Sequence, residues 1–422
     1  MNFVSISSFM SVHRARRIKF AGARVFALLS LCVPLAACVA TPPAPPPPTP
    51  LAVGTGDLGL VVERASGSLQ VVNTSRREVL GAIKGLGDLS HASLVYSRDG
   101  AYAFVFGRDG ALSKVHLPSR SLVGRIQQSG NSIGGAISQD GSLVAAQNYQ
   151  PGGIRVFDSQ TLRLVADIPA EYEPGKLSRV VGLVELPGQR FMYALFDANE
   201  IWIADLSGVA AGQAPQVQKF KNVGRQPYDA LITPDGRYYI AGLFGEDGLV
   251  KIDLWAAEPK AERILAGYGR GQEPLPVFKM PHLRGWAIAG RQAYLPAIGR
   301  HEVLVVDIDS WQELGRIPVA GQPVFVMARP DGRQVWVNFA VPDYNQVQVI
   351  DTQSRQVIQT LSPGKAVLHM EFTPRGESVW ISTRDDNAVN VLDTRSFARQ
   401  ATLKAVAPSG IFFTSRSQRS GF

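Results

Sequence analysis

One turn recurs along this chain at a spacing that few folds can use. Asp99-Gly100, Asp140-Gly141, Pro187-Gly188, Asp235-Gly236, Asp331-Gly332 and Arg375-Gly376 punctuate the sequence, and Gly290 marks a degenerate copy. Successive intervals are 41, 47, 48, 55, 41 and 44 residues. Asp-Gly supplies the positive φ of a tight hairpin, and alternating apolar residues on either side read as half-buried strands. Later in each copy a third strand ends on Asp: Asp158, Asp205, Asp253, Asp307, Asp351 and Asp393. Asn73 and His116 hold that place in the first two copies. A period of roughly 40–50 residues with three or four strands is the signature of a propeller blade.

Copies starting near residues 59, 91, 134, 179, 227, 284, 324 and 368 make eight blades. The segment Ala407-Pro-Ser-Gly-Ile-Phe-Phe413 reads as a first strand left over, placed to complete blade one and close the ring. The alternative is a seven-blade ring with an extra hairpin. The expected fold is therefore all-β, an eight-bladed β-propeller over 57–415, with a disordered tail over 416–422.

The 422 residues are 45% hydrophobic and 18% charged, which excludes a globally disordered chain. Arg14, Arg16, Arg17, Lys19 and Arg24 supply five of the net +8 charges, and no acid precedes residue 38, so the body carries +3. No basic cluster follows, so nucleic acid is not an expected partner. The two cysteines are Cys32 and Cys38. That excludes a disulfide framework, a cysteine nucleophile in the body and cysteine-held clusters.

Those basic residues precede an apolar run over 25–37, the layout of a bacterial export signal. It is too short to span a bilayer well, since spanning takes about 20 apolar residues. It ends in Leu35-Ala-Ala-Cys38, which resembles the lipobox of bacterial lipoproteins. The resemblance implies a signal peptide over 1–37 and a lipid on Cys38. A simple secretory signal cut after Ala37 or Ala40 is the other reading. Residues 38–56 then form a proline-rich linker, extended at about 3 Å per residue. The chain is thus expected in the periplasm of a Gram-negative bacterium, held to the membrane by its lipid alone.

Gly54-Thr-Gly-Asp-Leu-Gly59 matches the dinucleotide fingerprint, but that chemistry needs a strand before it and a helix N-terminus after it. A proline run precedes it and Leu60-Val-Val-Glu63 reads as a strand, so a flexible entry loop is expected instead. His91, His116, His282, His301 and His369 share no short metal-ligand spacing. A flat iron cofactor needs only one axial histidine. His91 and His369 lie eight and six residues before their blade turns and Tyr228 seven, near the strands that line a propeller's axis. His116 takes the place of a third-strand Asp and is expected to be structural. His301 sits in a turn, and His282 lies in a long insert ahead of a blade.

Ser90-His-Ala-Ser-Leu-Val-Tyr-Ser-Arg-Asp-Gly, followed by Phe106-Gly-Arg-Asp-Gly110, resembles the segment that carries the proximal ligand in the d1-haem domain of cytochrome cd1 nitrite reductases. The likeness runs from residue 57 to about 415, and is fuller to the NirF family of haem d1 biosynthesis proteins. It implies His91 as axial ligand to haem iron. It also implies Arg64, Arg108 and Arg179 as partners of the macrocycle's carboxylates, and a bound, non-covalent haem d1 or dihydro-haem d1 precursor. Arginine suits the task because its planar fork pairs with a carboxylate through two bonds.

Two departures separate the chain from the reductases. It carries no c-type haem motif, and the place of a distal histidine reads Tyr228-Asp229. A second distal histidine corresponds to His282. The resemblance therefore implies haem d1 maturation rather than nitrite reduction. Tyr228, Asp229 and His282 are the acid–base candidates for a dehydrogenation or side-chain processing of the precursor. A non-catalytic carrier is the alternative. Other exported maturation proteins and cd1 nitrite reductase are the expected partners, and a homodimer is an expected assembly.

Overall fold

A computed structural model of the protein describes residues 54–269 and 286–418. The expectations for Cys38, the signal and linker up to residue 53, and His282 fall outside those residues. The described chain folds into eight four-stranded antiparallel sheets, one per blade. Seven blades are continuous in sequence. The first is assembled from both ends of the ring, with Pro408–Phe413 as its inner strand beside Leu58–Glu63. Gly59 pairs with Phe413, Leu60 with Phe412 and Val61 with Ile411. The leftover strand thus completes blade one, and the seven-blade alternative falls.

The entry motif has a local explanation. Thr55–Asp57 is one turn of 3-10 helix and Leu58 opens a strand, so the expected flexible loop is instead an ordered turn. Thr414 Oγ1 donates to the Thr55 and Leu58 carbonyls at 2.6 and 2.7 Å. A Cβ at Gly59 would lie 2.6 Å from the Phe413 ring. Ring closure, rather than a pyrophosphate, requires that glycine.

Connectivity assigns each loop to a face. Outer strands hand over to the next blade's inner strand at one end, so all inner strands start on the same side. First-to-second and third-to-outer turns lie on the opposite face, called lower here. All seven repeat turns are first-to-second connections. The third-strand acids cap the other lower turns: Asp393 Oδ1 accepts from the Arg395 and Ser396 amides at 2.9 and 2.8 Å. In blade two the equivalent bond joins His116 Nδ1 to Ser119 Oγ at 2.6 Å, in line with the structural role expected of His116.

Apolar side chains of neighbouring blades interdigitate. Trp336 meets Phe372 edge-on at 5.9 Å and Trp380 meets Phe413 at 5.4 Å. Both indoles are fully buried, and aromatic pairs of this geometry add about 0.5–1.5 kcal/mol beyond their area.

Candidate functional site: a blind funnel on the ring axis

Six inner strands break register with their neighbours, at Ile133, Gly182–Leu183, Tyr228–Asp229, Val324, Leu368–His369 and Ser409–Gly410. A bulge frees residues from the ladder and re-aims them. Every one of these bulges contributes to the lining of a single axial funnel, which also takes in Arg64, Ser90, His91, Ser93, Gln147, Phe325, Phe412 and Arg416. The space is about 1200 Å³, including the part open to solvent.

Buried polar residues on the second strands accept the bonds that the bulges free. Gln147 Oε1 takes the Leu183 amide at 3.1 Å, Asn338 Oδ1 the Phe325 amide at 2.9 Å, and Ser382 Oγ the His369 amide at 2.9 Å. In an otherwise apolar strand such a residue would be costly without a partner. A lone Gln, Asn or Ser inside a hydrophobic run was the sequence signal for these bulges, and it was missed.

The C-terminal turn stands at the lower end of the funnel, where Arg416 joins the lining. Residues Thr414–Gln418 form a 3-10 helix, so the expected disordered tail does not begin at 416. The tail is held because Arg416 forms a two-bond ion pair with Glu371, with side chains only 14% and 5% exposed. Arg98 donates to the Ser417 and Ser138 carbonyls at 3.0 and 2.8 Å and lies 3.9 Å from buried Glu185. Tyr96 Oη donates to the Phe412 carbonyl at 2.6 Å. Sequence reading gave Arg416 no role, since nothing periodic marks it.

All the expected ligands lie toward the upper face. Arg64 and Arg108 sit in second-to-third loops; His91 and Arg179 just precede inner strands; Tyr228 and Asp229 lie near the start of one. His91, Arg64 and Asp229 line the funnel together. Arg108 is exposed on the mouth loop and is not part of the lining. Among the described residues neither Arg64 nor Arg108 forms an ion pair. Burial, and then the nearby Arg384 guanidinium, lower the pKa of Arg64 from its ordinary value. A neighbouring cation and a half-buried, unpaired one favour an anionic guest.

Two of the expected site residues lie outside the funnel lining. Arg179 pairs with Asp197: Nε and Nη2 donate to its carboxylate at 3.0 and 2.6 Å, and the guanidinium lies 4.3 Å over Phe196. That hydrogen-bonded pairing raises the Arg179 pKa. Tyr228 does not face the funnel. It is 7% exposed within an aromatic group with Phe196 and Phe244, its hydroxyl 3.4 Å from that of Tyr149. Burial, then Tyr149 and Asp229, push its pKa far above the usual phenol value. It stays protonated, which leaves Asp229 as the acid–base candidate of that pair on the described wall.

His369 also faces the funnel, between Phe325 and Phe412, and its Nδ1 accepts the Ile411 amide at 3.3 Å. His301 lies on an upper-face turn at positive φ, away from the funnel lining.

The residues present fit a flat, carboxylated iron macrocycle: the His91 imidazole and a half-buried arginine without an ion pair among the described residues share one lining, and glycines let the wall itself pack tightly. A Cβ would lie 3.0 Å from neighbouring side chains at Gly134, 2.7 Å from the Tyr228 carbonyl at Gly182, and 2.4 Å from the Phe412 ring at Gly410. Comparison with known proteins agrees with that chemistry. The cytochrome D1 heme domain model matches residues 53–417, and the chain belongs to that family. Within it, the chain is 58% identical to Protein NirF of Stutzerimonas stutzeri and to Protein NirF of Pseudomonas aeruginosa PAO1. Each match covers 87% of this chain and 94% of the relative. Among solved structures, dihydro-heme d1 dehydrogenase NirN in complex with DHE superposes with a TM-score of 0.76 at 25% identity. That match covers 88% of this chain and 78% of that one.

Proposed function

We propose that the chain acts in haem d1 biosynthesis by binding a late haem d1 precursor, non-covalently, in the upper funnel. The observation that carries this reading is that His91 and Arg64, which has no ion pair among the described residues, line one axial funnel. The His91 imidazole would hold the iron, and Arg64 and Arg108 would bind peripheral carboxylates. When bound, the iron macrocycle would supply an electron sink whose potential follows the group that holds its iron. Asp229 Oδ would take or return a proton in a dehydrogenation or side-chain processing step, and a dehydrogenation would pass its two electrons to an external electron acceptor. Incubating the purified protein with dihydro-haem d1 and an added electron acceptor, and following spectrum and mass, tests the reaction. Saturable binding with a loss of two hydrogens that depends on the acceptor supports it.

A carrier that presents the macrocycle to other exported maturation proteins, or to cd1 nitrite reductase, is the second reading. The withdrawal of Tyr228 into the wall favours it, since that removes one of the expected acid–base groups. Binding with no change in ligand mass distinguishes the carrier from the enzyme.

The same reading places the protein in the periplasm, anchored through Cys38. Cys38→Ser is expected to release it to the soluble periplasmic fraction with its fold intact. A variant still found wholly with membranes would contradict the lipid anchor.

A further inference from the structure

We infer that Asp88 is a positioning residue that sets the His91 and Arg108 loops relative to one another and holds a counter-charge where ligand carboxylates bind. The inference rests on the reading that a carboxylated tetrapyrrole occupies the funnel.

Residues 84–92 lead from the outer strand of blade one to the inner strand of blade two, and carry His91 near their end. They form a strap across two neighbouring loops. At one end the Leu86 amide donates to the Gly67 carbonyl at 3.1 Å, in the loop that carries Arg64. The approach is so close that a Cβ at Gly67 would lie 2.3 Å from the Gly87 carbonyl oxygen, and Gly67 has φ +60°. At the other end the Arg108 amide donates to the Asp88 carbonyl at 2.8 Å. The Asp88 amide reaches Asp109 Oδ2 at 3.3 Å, and Arg125 fixes that carboxylate at 2.6 Å. Leu86 and Leu89, both fully buried, pin the strap to the core.

The Asp88 side chain does two further things. Its Oδ1 accepts the Ser90 amide at 2.8 Å, an Asx turn that fixes the backbone one residue before His91. Its charge lies within reach of both mouth arginines. Hydrogen bonds from Ser90, and then the Arg108 and Arg64 guanidiniums, lower its pKa, so the carboxylate is ionised at neutral pH. One carboxylate thus shapes the turn that presents the imidazole and stands beside two arginines that have no ion pair of their own. A ligand carboxylate arriving at those arginines takes over that role and is repelled by Asp88.

Two substitutions separate the functions. Asp88→Asn keeps an oxygen acceptor for the Ser90 amide and removes the charge. Asp88→Ala removes both. Iron(III) mesoporphyrin IX and its dimethyl ester serve as probes with and without carboxylates. Asp88→Asn is expected to keep the wild-type imidazole-ligated spectrum and to bind the diacid about two- to fivefold more tightly at low ionic strength. That gain should fade as salt is added, and the ester should show none. Asp88→Ala is expected to lose part of the imidazole-ligated spectrum with both probes. In the ligand-free protein, amide hydrogen exchange over 88–91 and 107–110 should rise in Asp88→Ala and stay unchanged in Asp88→Asn. Two variants that behave alike, with the wild-type preference for the diacid intact, overturn this inference alone. A wild-type protein that takes diacid and ester equally overturns the carboxylate reading of the funnel and this inference together.

Discussion

The two faces of the ring are built from the same strands and do different work. On the lower face the connections repeat. Asp99, Asp140, Asp235 and Asp331 mark first-to-second turns, and Asp158, Asp307, Asp351 and Asp393 cap third-to-outer turns. Each carboxylate accepts amides of its own loop, and Asp140 also accepts from Gln189 of the next blade's turn at 2.8 Å. On the upper face the bonds run between loops: Asp109, Asp197, Glu246 and Asp386 each accept the amide of a residue that leads into an inner strand. Asp88 bonds across to the next loop, while Arg64 and Arg108 keep guanidiniums without ion pairs among the described residues. A turn whose carboxylate is satisfied by its own amides can be copied from blade to blade. A face that leaves polar groups unspent can be built for a guest.

If this division holds, changes on the lower face alter stability and changes on the upper face alter binding. The sharpest break should come from Arg416→Ala. It strands the Glu371 carboxylate in a nearly dry site, at a cost of about 3–5 kcal/mol. Unfolding in urea would show the loss. Replacing both partners by apolar residues of similar size should recover most of it, and failure to recover would mean that the pair itself, rather than the stranded charge, matters.

Next in size is the histidine pair. His91→Ala should abolish the imidazole-ligated spectrum of bound iron mesoporphyrin and weaken its binding by at least about tenfold, the range seen when even a ligand's supporting partner is lost. The melting temperature should barely move. His116→Ala should do the reverse, lowering the melting temperature while leaving the spectrum alone. Spectra that respond equally in the two variants would erase the distinction between the faces.

Smaller effects are expected at the mouth. Arg64→Ala should weaken the diacid probe about tenfold, as for a charge-assisted bond in a half-buried setting. Arg108→Ala, being exposed, should cost only about threefold. Both losses should shrink as pH falls toward 4 and the ligand carboxylates are protonated. Lysine at either place should restore only part of the affinity.

The smallest effect concerns acid. Hydrogen bonds from Thr161, Ser310, Ser354 and Ser396 hold Asp158, Asp307, Asp351 and Asp393 below the ordinary carboxylate range. A carboxylate with a depressed folded-state pKa contributes stability above its unfolded value, near 4, and loses it as pH drops through the folded value. Thermal stability should therefore decline below about pH 4. The double variant Asp351→Asn, Asp393→Asn should show a shallower decline. An unchanged acid profile would mean that these turns do not govern it.

The amino-acid sequence by itself determined the number of blades, the strand that closes the ring and the lower-face turns. Each of these rests on local rules: a glycine for positive φ, an Asp that caps its own loop, alternating apolar residues for a strand. The repeat also placed His91 and His369 near the axis, and the family resemblance pointed to Arg64 and Asp229; all four line one funnel. Only the tertiary structure decided which groups remain available there. Arg179 pairs with Asp197 across 18 residues, and Tyr228 turns toward Tyr149, 79 residues away, rather than toward the axis. Arg416 finds Glu371 across 45 residues and joins the lower wall of the funnel. Pairings of this kind depend on where a bulge re-aims a side chain and on which blade lies next to it. No periodic signal carries that information, because a bulge is a local break in the very period that makes the blades legible.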